Sequence, residues 1–496
     1  MKPKEELFRL IQSLNKAEKG YFKKFTGIYS SKGDARYLKL FDLIEQQGEY
    51  DEAAIKEEFG DSAFGKFLSA NKAYLFKLIL KSLRNFHSDS SIESQVADMV
   101  REVEILYHKG MLDEAFRHAE KALDKAMLQE QFYHILNLYF WQSRIIIARG
   151  YPGFDMEKLQ AFYGRIKKIT IENNLTVDYD TLSAKVYYLT KRFGNPGTEK
   201  LRQEYQNLLE NNLLDPKNLP TGIRSQIKYY NIKSVLLTVL ERTDEAFELM
   251  KNYAAVYEKY PIFAKENISL YISCLEKLVY LSHRIGQTDE MFRYNEKIRE
   301  ILEGLNLPST KDYYIFYTVM NASYYLDIRD FDKFPQIKKE AEKLVPFPDG
   351  SIDLLKEIIL HFHLLIFLLT RGEWKELFRK SWKLISKSPR NELVHEPLQI
   401  IRVLFLIACF ETGEFELLKS RLRSLRRDFS LKREQKDWEK CIFAFFSKLA
   451  ANPPEEKKLL WFREHANEMK ALVTTPAEIK SLNEFFYFDY LVASTQ

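Results

Sequence analysis

The chain has 496 residues, of which 46% are hydrophobic and 29% are charged, and its formal net charge is +5. This balance excludes a disordered or collagen-like chain, and 18 glycines and 15 prolines are too few turn-forming residues for an all-β sandwich or barrel. We therefore expect an all-α protein. Its 36 phenylalanines and 29 tyrosines predict a core built largely from aromatic rings on helices.

Residues 1–90 predict a series of short helices, at about 3–14, 16–26, 34–47, 50–59 and 64–86. Asn15 and Glu18 have the spacing of a capping box. The last two helices have the order of a helix-turn-helix, and the second carries the cations Lys66, Lys72, Lys77, Lys81 and Arg84. The segment holds 16 basic and 13 acidic residues, a net charge of only +3. We interpret it as a helical cap, with a DNA-binding helix-turn-helix as the alternative.

From residue 91 to residue 472 a similar turn recurs about every 43 residues, which is typical of an array of helical hairpins. Its clearest copy begins at Gly110 with the sequence GMLDEAF. The other turn positions, at intervals between 40 and 47 residues, are Gly150, Gly194, Glu241, Gly286, Arg329, Gly372 and Gly413. We expect each turn position to end a helix in the left-handed conformation, and at every turn except the weaker copies Gly150 and Gly194 we expect the fifth residue after it to be buried. Those fifth residues are Ala115, Ala246, Met291, Phe334, Leu377 and Leu418.

The stretch from Leu106 to Leu123 resembles the tetratricopeptide (TPR) repeat. Gly110, Ala115 and Ala122 stand where that family places small packing residues. The period is longer than the roughly 34 residues of the family, so the chain is TPR-like with helices of roughly 18 residues. The resemblance implies an α-solenoid of antiparallel helical hairpins with helical caps at both ends. A conventional multidomain α protein with evenly spaced turns is the alternative.

The same resemblance implies that the first helices of the hairpins line a concave groove that binds extended peptides. Rings and amides are frequent in these helices, and we expect some of them to reach the groove and others to be core. The candidates for the groove are Tyr230, Asn231, Asn267, Tyr271, Tyr314, Tyr317 and Asn321.

A basic patch is predicted near the C-terminal end of the array. The segment from Arg371 to Lys440 has 17 basic and 11 acidic residues, and its cations concentrate in two consecutive second helices. Because neighbouring repeats stack, these helices should lie side by side and form one positive surface. The patch consists of Arg379, Lys380, Lys383, Lys387, Arg423, Arg426 and Arg427. It is either a site for an acidic protein, RNA or DNA, or an ordinary solvated face.

Residues 473–496 predict a C-terminal capping helix that is rich in rings, with a docking patch as the alternative. No catalytic motif is found, and His361 and His363 are two residues apart on a helix, so they cannot chelate one metal ion. We expect no enzyme activity, no cofactor and no metal site. The three cysteines, Cys274, Cys409 and Cys441, do not form a disulfide framework.

The chain begins without an uninterrupted apolar stretch of signal-peptide length, and its longest apolar run, residues 358–370, is shorter than the roughly 20 residues that a bilayer requires. We therefore expect a cytoplasmic protein without membrane contact. The sequence favours a non-enzymatic helical-repeat scaffold that binds a protein or peptide partner. The alternative is a DNA-binding regulator with an N-terminal helix-turn-helix and a TPR-like sensor domain, and nucleic acid is the less favoured partner.

Overall fold

The computed structural model of the protein describes residues 5–29, 35–60, 62–305, 311–344, 354–387, 396–430, 437–473, 482 and 486–495. These residues form α-helices joined by turns and short 3₁₀ segments, and no strand occurs among them. The all-α class expected from the composition is therefore confirmed. None of the described helices is both long enough and apolar enough to span a lipid bilayer.

Most helices follow one another after short connections. In chain order the helices are α1 (Glu6–Ser13), α2 (Lys16–Tyr29), α3 (Ala35–Glu45), α4 (Glu52–Phe59), α5 (Ala63–Lys66), α6 (Leu68–Phe86), α7 (Ile92–His108), α8 (Leu112–Met127), α9 (Phe132–Ala148), α10 (Met156–Phe193), α11 (Glu199–Leu209), α12 (Ile223–Val239), α13 (Thr243–Lys259), α14 (Pro261–Glu266), α15 (Ile268–Arg284), α16 (Thr288–Glu303), α17 (Lys311–Asp327), α18 (Phe334–Leu344), α19 (Leu354–Thr370), α20 (Trp374–Lys387), α21 (Glu396–Glu411), α22 (Phe415–Ser430), α23 (Asp437–Leu449), α24 (Glu455–Leu472) and α25 (Tyr487–Ala493). The 3₁₀ segments are Asn212–Leu214, Pro216–Asn218 and Phe331–Lys333.

The chain divides into two compact units. The first unit comprises Met1–Leu236 and Ala255–Ile268, and the second comprises Leu237–Ala254 and Ser269–Gln496. In the first unit α6 contacts α1, α2, α3 and α5, while α8 contacts α7 and α9, and α9 contacts α10. Helices α1 to α6 share one apolar core, and helices α7 to α10 share another.

The predicted capping box is confirmed at the start of α2. The backbone N–H of Asn15 donates to Oε2 of Glu18 at 2.8 Å, and the backbone N–H of Glu18 donates to Oδ1 of Asn15 at 3.0 Å. The other predicted helices of residues 1–90 also occur, except that Ala63–Lys66 forms a short helix of its own before α6. Ser62 caps this short helix by accepting a hydrogen bond from the backbone N–H of Gly65.

All eight predicted turn positions have a positive φ, from 59° at Arg329 to 78° at Gly413, so the expected left-handed conformation is confirmed at each. Seven of the eight turns share a second feature. The residue after the turn position donates its backbone N–H to the carbonyl five residues earlier, as Met111 does to Leu106 at 3.0 Å. At Gly194 the N–H of the glycine itself bonds to the carbonyl of Thr190 instead.

The predicted packing positions around the turns are largely confirmed. The six side chains five positions after a turn are buried, namely Ala115, Ala246, Met291, Phe334, Leu377 and Leu418. Before the turn at Arg329, where helical periodicity also predicts a buried side chain, Tyr324 is only half-buried. Its ring stacks on that of Phe292 with a centroid distance of 4.2 Å.

The region between Gly150 and Gly194 does not form the predicted pair of helices. It contains the single helix α10 of 38 residues, which is about 57 Å long at 1.5 Å per residue. Within α10, from Met156 to Phe193, there is no proline, and the one glycine, Gly164, lies inside the helix without a positive φ. Because no residue from Met156 to Phe193 favours the end of a helix, the chain continues as one helix without a turn.

In the second unit both successive and alternate helices are in contact. Helix α17 contacts α19, α19 contacts α21, and α21 contacts α23. Helices α18, α20 and α22 each contact the helix before and the helix after them. One apolar core joins α17 to α25, and its fully buried rings include Phe367, Phe405, Phe443 and Phe446.

Candidate functional site

The predicted basic patch lies on α20 and α22. Each of these helices buries one side, at Leu377 on α20 and at Leu418 on α22, so the opposite side of each faces solvent. The two helices are in contact, because the guanidinium of Arg421 lies 4.2 Å from the centre of the Trp382 ring. The other neighbour of Trp382 is Phe405 of α21, whose ring stacks on it at 5.5 Å. Two cation-bearing helices are thus held next to each other.

Among the described side chains of the patch, those of Arg379, Lys383 and Arg423 are exposed, and we call these three residues the basic face. The side chain of Arg379 is 76% exposed, and its guanidinium is 3.8 Å from the carboxylate of Glu376. Lys387, Arg426 and Arg427 belong to the same helices, but their side chains lie outside the described residues.

Lys380, the remaining member of the predicted patch, has a different environment. Its side chain is only 17% exposed, and its ammonium lies 3.3 Å from Glu376 and 3.8 Å from Glu342. Burial raises the pKa of Glu376, but hydrogen bonds from Lys338 and Lys380 outweigh it and hold the pKa below its usual value. Lys380 therefore stabilises the packing of α20 rather than adding to the basic face.

The candidate groove residues of the first unit are half-buried and make internal hydrogen bonds. Nδ2 of Asn231 donates to the hydroxyl of Tyr187 at 2.7 Å. Nδ2 of Asn267 donates to the carbonyl of Phe263 at 2.9 Å and to Oε1 of Gln129 at 3.2 Å. Tyr230 is also half-buried, and burial raises the pKa of its hydroxyl.

The candidate groove residues of the second unit are mostly buried. Tyr271 and Tyr317 are each 7% exposed and Asn321 is 2% exposed, whereas Tyr314 is half-buried. The hydroxyl of Tyr317 donates to Oε1 of Glu296 at 3.1 Å and accepts from Nδ2 of Asn321 at 3.4 Å. The polar groups of Tyr317 and Asn321 thus belong to an internal hydrogen-bond network.

A cavity of about 920 Å³ opens in the second unit where the turns at Arg329 and Gly372 meet α25. The hydroxyl of Tyr490 donates to Oε1 of Glu411 there at 2.8 Å, and the Arg329 guanidinium lies 2.8 Å from Asp489. Burial raises the pKa of Glu411 above its usual value. The lining contains rings together with side chains of both charges, so it does not favour one class of ligand.

The ring-rich C-terminal segment is packed into the second unit. Phe486, Tyr487 and Tyr490 are buried, and α25 contacts α19 and α24. Phe488 is half-buried, and Phe485 lies outside the described residues. These rings are therefore part of the core of this unit.

Sequence reasoning missed a cluster formed by Cys441 of α23 with His465 and Glu468 of α24. Their ligand-type atoms all lie within 4.8 Å of one another. The three cysteines are far apart in the sequence, and the histidine pair His361 and His363 belongs to α19, so neither pattern points to this cluster. The missed signal was His465 and Glu468 at a spacing of three residues, which places both on one side of a helix.

Comparison with protein-family models finds no match to this chain, and comparison with curated proteins finds none either.

Proposed function

We propose that this chain is a non-enzymatic helical-repeat scaffold that binds an acidic segment of a protein or peptide partner on its basic face. One observation carries the proposal. The contact of Arg421 with Trp382 at 4.2 Å holds α20 and α22 together, and both helices present exposed cations. Because the potentials of neighbouring charges add, such a surface attracts an anionic chain more strongly than isolated surface lysines do.

The arrangement we propose for the helices is a TPR-like α-solenoid. The serial contacts of α17, α19, α21 and α23 support it, and so do the left-handed turns that recur about every 43 residues. In such an array the second helices of consecutive hairpins form one row. Helices α20 and α22 would be neighbours in that row.

An acidic peptide fits the basic face better than single-stranded nucleic acid does. Bases bind to such surfaces by stacking on exposed rings. Trp382 is half-buried, with Arg421 over its ring and Phe405 stacked against it, so it offers no open ring face. Carboxylates of a peptide need only the charged hydrogen-bond donors that Arg379, Lys383 and Arg423 supply.

Two charge-reversal variants of the full chain test the proposal. The first replaces the basic face with glutamate, at Arg379, Lys383 and Arg423. The matched control makes the same change of net charge on exposed residues of α24, at Lys457, Arg463 and Lys470. The probe is a fluorescent decaglutamate peptide whose anisotropy is measured at increasing salt, with a single-stranded RNA of equal charge in parallel.

We expect the unmodified chain and the control to bind decaglutamate, and the basic-face variant to bind at least about tenfold more weakly, which is about 1.4 kcal/mol. Affinity should fall as salt rises, because exposed charges are screened over about 8 Å at physiological ionic strength. Equal losses in both variants would show that only net charge matters. Tight binding of the RNA without binding of decaglutamate would contradict the choice of partner.

A second candidate function, DNA binding, is favoured by one feature of α6. This helix of 19 residues has no acidic residue, and Lys77, Lys81 and Arg84 are exposed on it. Lys72 does not contribute, because its ammonium lies 3.0 Å from Glu52 and hydrogen-bonds to Tyr50.

The test is duplex-DNA binding by the full chain and by the variant with Lys77, Lys81 and Arg84 changed to glutamate. Each lost phosphate contact should lower the slope of log affinity against log salt by about 0.9. The basic-face variant is the control and should keep the slope of the unmodified chain. This function would be rejected if the full chain did not bind duplex DNA. It would also be rejected if the α6 variant and the basic-face variant lost DNA binding equally.

A further inference from the structure

We infer that Cys441, His465 and Glu468 form a binding site for a zinc ion in the second unit. The inference is independent of the proposed partner binding. It concerns residues of α23 and α24, two helices that are in contact with each other.

The spacing of two of the ligand atoms already fits tetrahedral zinc. Sγ of Cys441 and Nδ1 of His465 are 3.6 Å apart. Zinc bonds of about 2.3 Å to sulfur and 2.0–2.1 Å to nitrogen, at a tetrahedral angle, separate these two atoms by about 3.5 Å. An ion can therefore enter between them without a movement of either helix.

Glu468 completes the set of protein ligands. It lies one turn after His465 on α24, and all ligand atoms of the cluster are within 4.8 Å of one another. Its side chain is exposed, so it can rotate to close the remaining distance to the ion. Water can reach the site from this side and supply the fourth ligand.

The surroundings of His465 hold the imidazole in the orientation that a ligand needs. Nε2 lies 2.9 Å from the hydroxyl of Tyr487, and a hydrogen bond from Nε2–H to this oxygen leaves the lone pair of Nδ1 directed at the site. The ring of Phe445 stacks on the imidazole at a centroid distance of 4.0 Å and an angle of 4°. Burial also lowers the pKa of His465 to about 3, so the ring is neutral at physiological pH.

Binding requires Cys441 to lose a proton. Burial and the nearby carboxylate of Glu468 together raise the pKa of this thiol to about 12, although Lys448 lowers it. Zinc therefore replaces the thiol proton, which leaves to solvent, and a sulfur–zinc bond forms in its place. No oxidant or reductant is involved.

The experiment uses the full chain, stripped with a chelator and titrated with Co²⁺ and Zn²⁺. Cobalt bound by a thiolate gives a sulfur-to-metal charge-transfer band in the near ultraviolet, and zinc should displace it at one equivalent. We expect the band in the unmodified chain and in the control Cys409→Ser, which alters another buried cysteine of the same unit. Cys441→Ser should abolish the band.

Glu468→Gln keeps the proposal testable if Cys441→Ser fails to fold, because Glu468 is exposed. This variant should keep its melting temperature in chelator and bind zinc at least about tenfold more weakly. The alternative is a buried thiol–imidazole hydrogen bond only. In that case the unmodified chain gives no cobalt band, zinc does not raise its melting temperature, and the proposal is overturned.

Discussion

Because Gly110 has a left-handed conformation, we predict that one added methyl group at this position destabilises the protein. Gly110 has a φ of 76°, and a Cβ built on it meets no atom within 4 Å. The only effect of Gly110→Ala is therefore on the backbone. The left-handed conformation costs an alanine roughly 1–2 kcal/mol, and the lower flexibility of the unfolded alanine chain offsets roughly 0.5–1 kcal/mol of this. We expect the free energy of unfolding to fall by about 1 kcal/mol.

Gly164→Ala is the matched control in the same unit. A Cβ at Gly164 also meets no atom within 4 Å, but this glycine lies inside α10 without a positive φ. Replacing a helical glycine with alanine should stabilise the first unit by about 1 kcal/mol. The two variants should thus differ by about 2 kcal/mol, and for a unit of about 250 residues the melting temperatures should differ by about 4–8 °C.

Calorimetry is the appropriate assay, since it resolves the transitions of separate units. Hydrogen exchange of the Met111 amide, which bonds to Leu106 across the turn, gives a local readout of the same change. Glu241 has a φ of 63° at the equivalent position of a later turn, so Glu241→Gly should stabilise the chain. If Gly110→Ala and Gly164→Ala shift melting in the same direction, the reasoning about the turns is refuted.

Three further predictions follow from the first unit. Ala115 is fully buried, so Ala115→Trp should lower the free energy of unfolding by at least about 1–3 kcal/mol, measured by chemical denaturation. The carboxylate of Glu130 accepts hydrogen bonds from the backbone N–H groups of Ile223 and Arg224 at 2.8 Å. Glu130→Ala should therefore lower the free energy of unfolding by about 1–2 kcal/mol. A hydrogen bond from Lys72 lowers the pKa of Glu52 from 4.5 to about 2. Because the folded state binds this proton less tightly than the unfolded state, the pair stabilises the protein above pH 4.5, and its contribution is lost as the pH falls toward 2.

The controls for these predictions lie in the same unit. Ala161 is exposed on α10, so Ala161→Trp should leave the midpoint of denaturation nearly unchanged. Glu130→Gln keeps one acceptor oxygen for the start of α12, so it should lower the free energy of unfolding less than Glu130→Ala does. Lys72→Met should destabilise the protein by about 1 kcal/mol or less at pH 7. This effect should shrink as the pH falls toward 2, where about half of the Glu52 carboxyl groups are protonated. A pH-independent effect of Lys72→Met would contradict this assignment.

Local patterns in the sequence determined the class of the fold and the places where its helices end. The eight turn positions could be found because a left-handed helix end depends on a few neighbouring residues, and all eight have a positive φ. The burial of Ala115 and Met291 followed from helical periodicity in the same way. The continuous α10 was also encoded locally, by the lack of a helix-ending residue between Met156 and Phe193. Two helices were expected there only because the regular spacing of the other turns was extended to this region.

Only the tertiary structure decided which distant residues meet. Glu130 caps α12 from 93 residues away, and the burial of Asn321 depends on how its helix is rotated in the core. Cys441, His465 and Tyr487 come from three helices, and each is unremarkable in its own segment of the sequence. Their distances depend on how α23, α24 and α25 pack, and packing results from many weak apolar contacts across the whole core rather than from any short pattern.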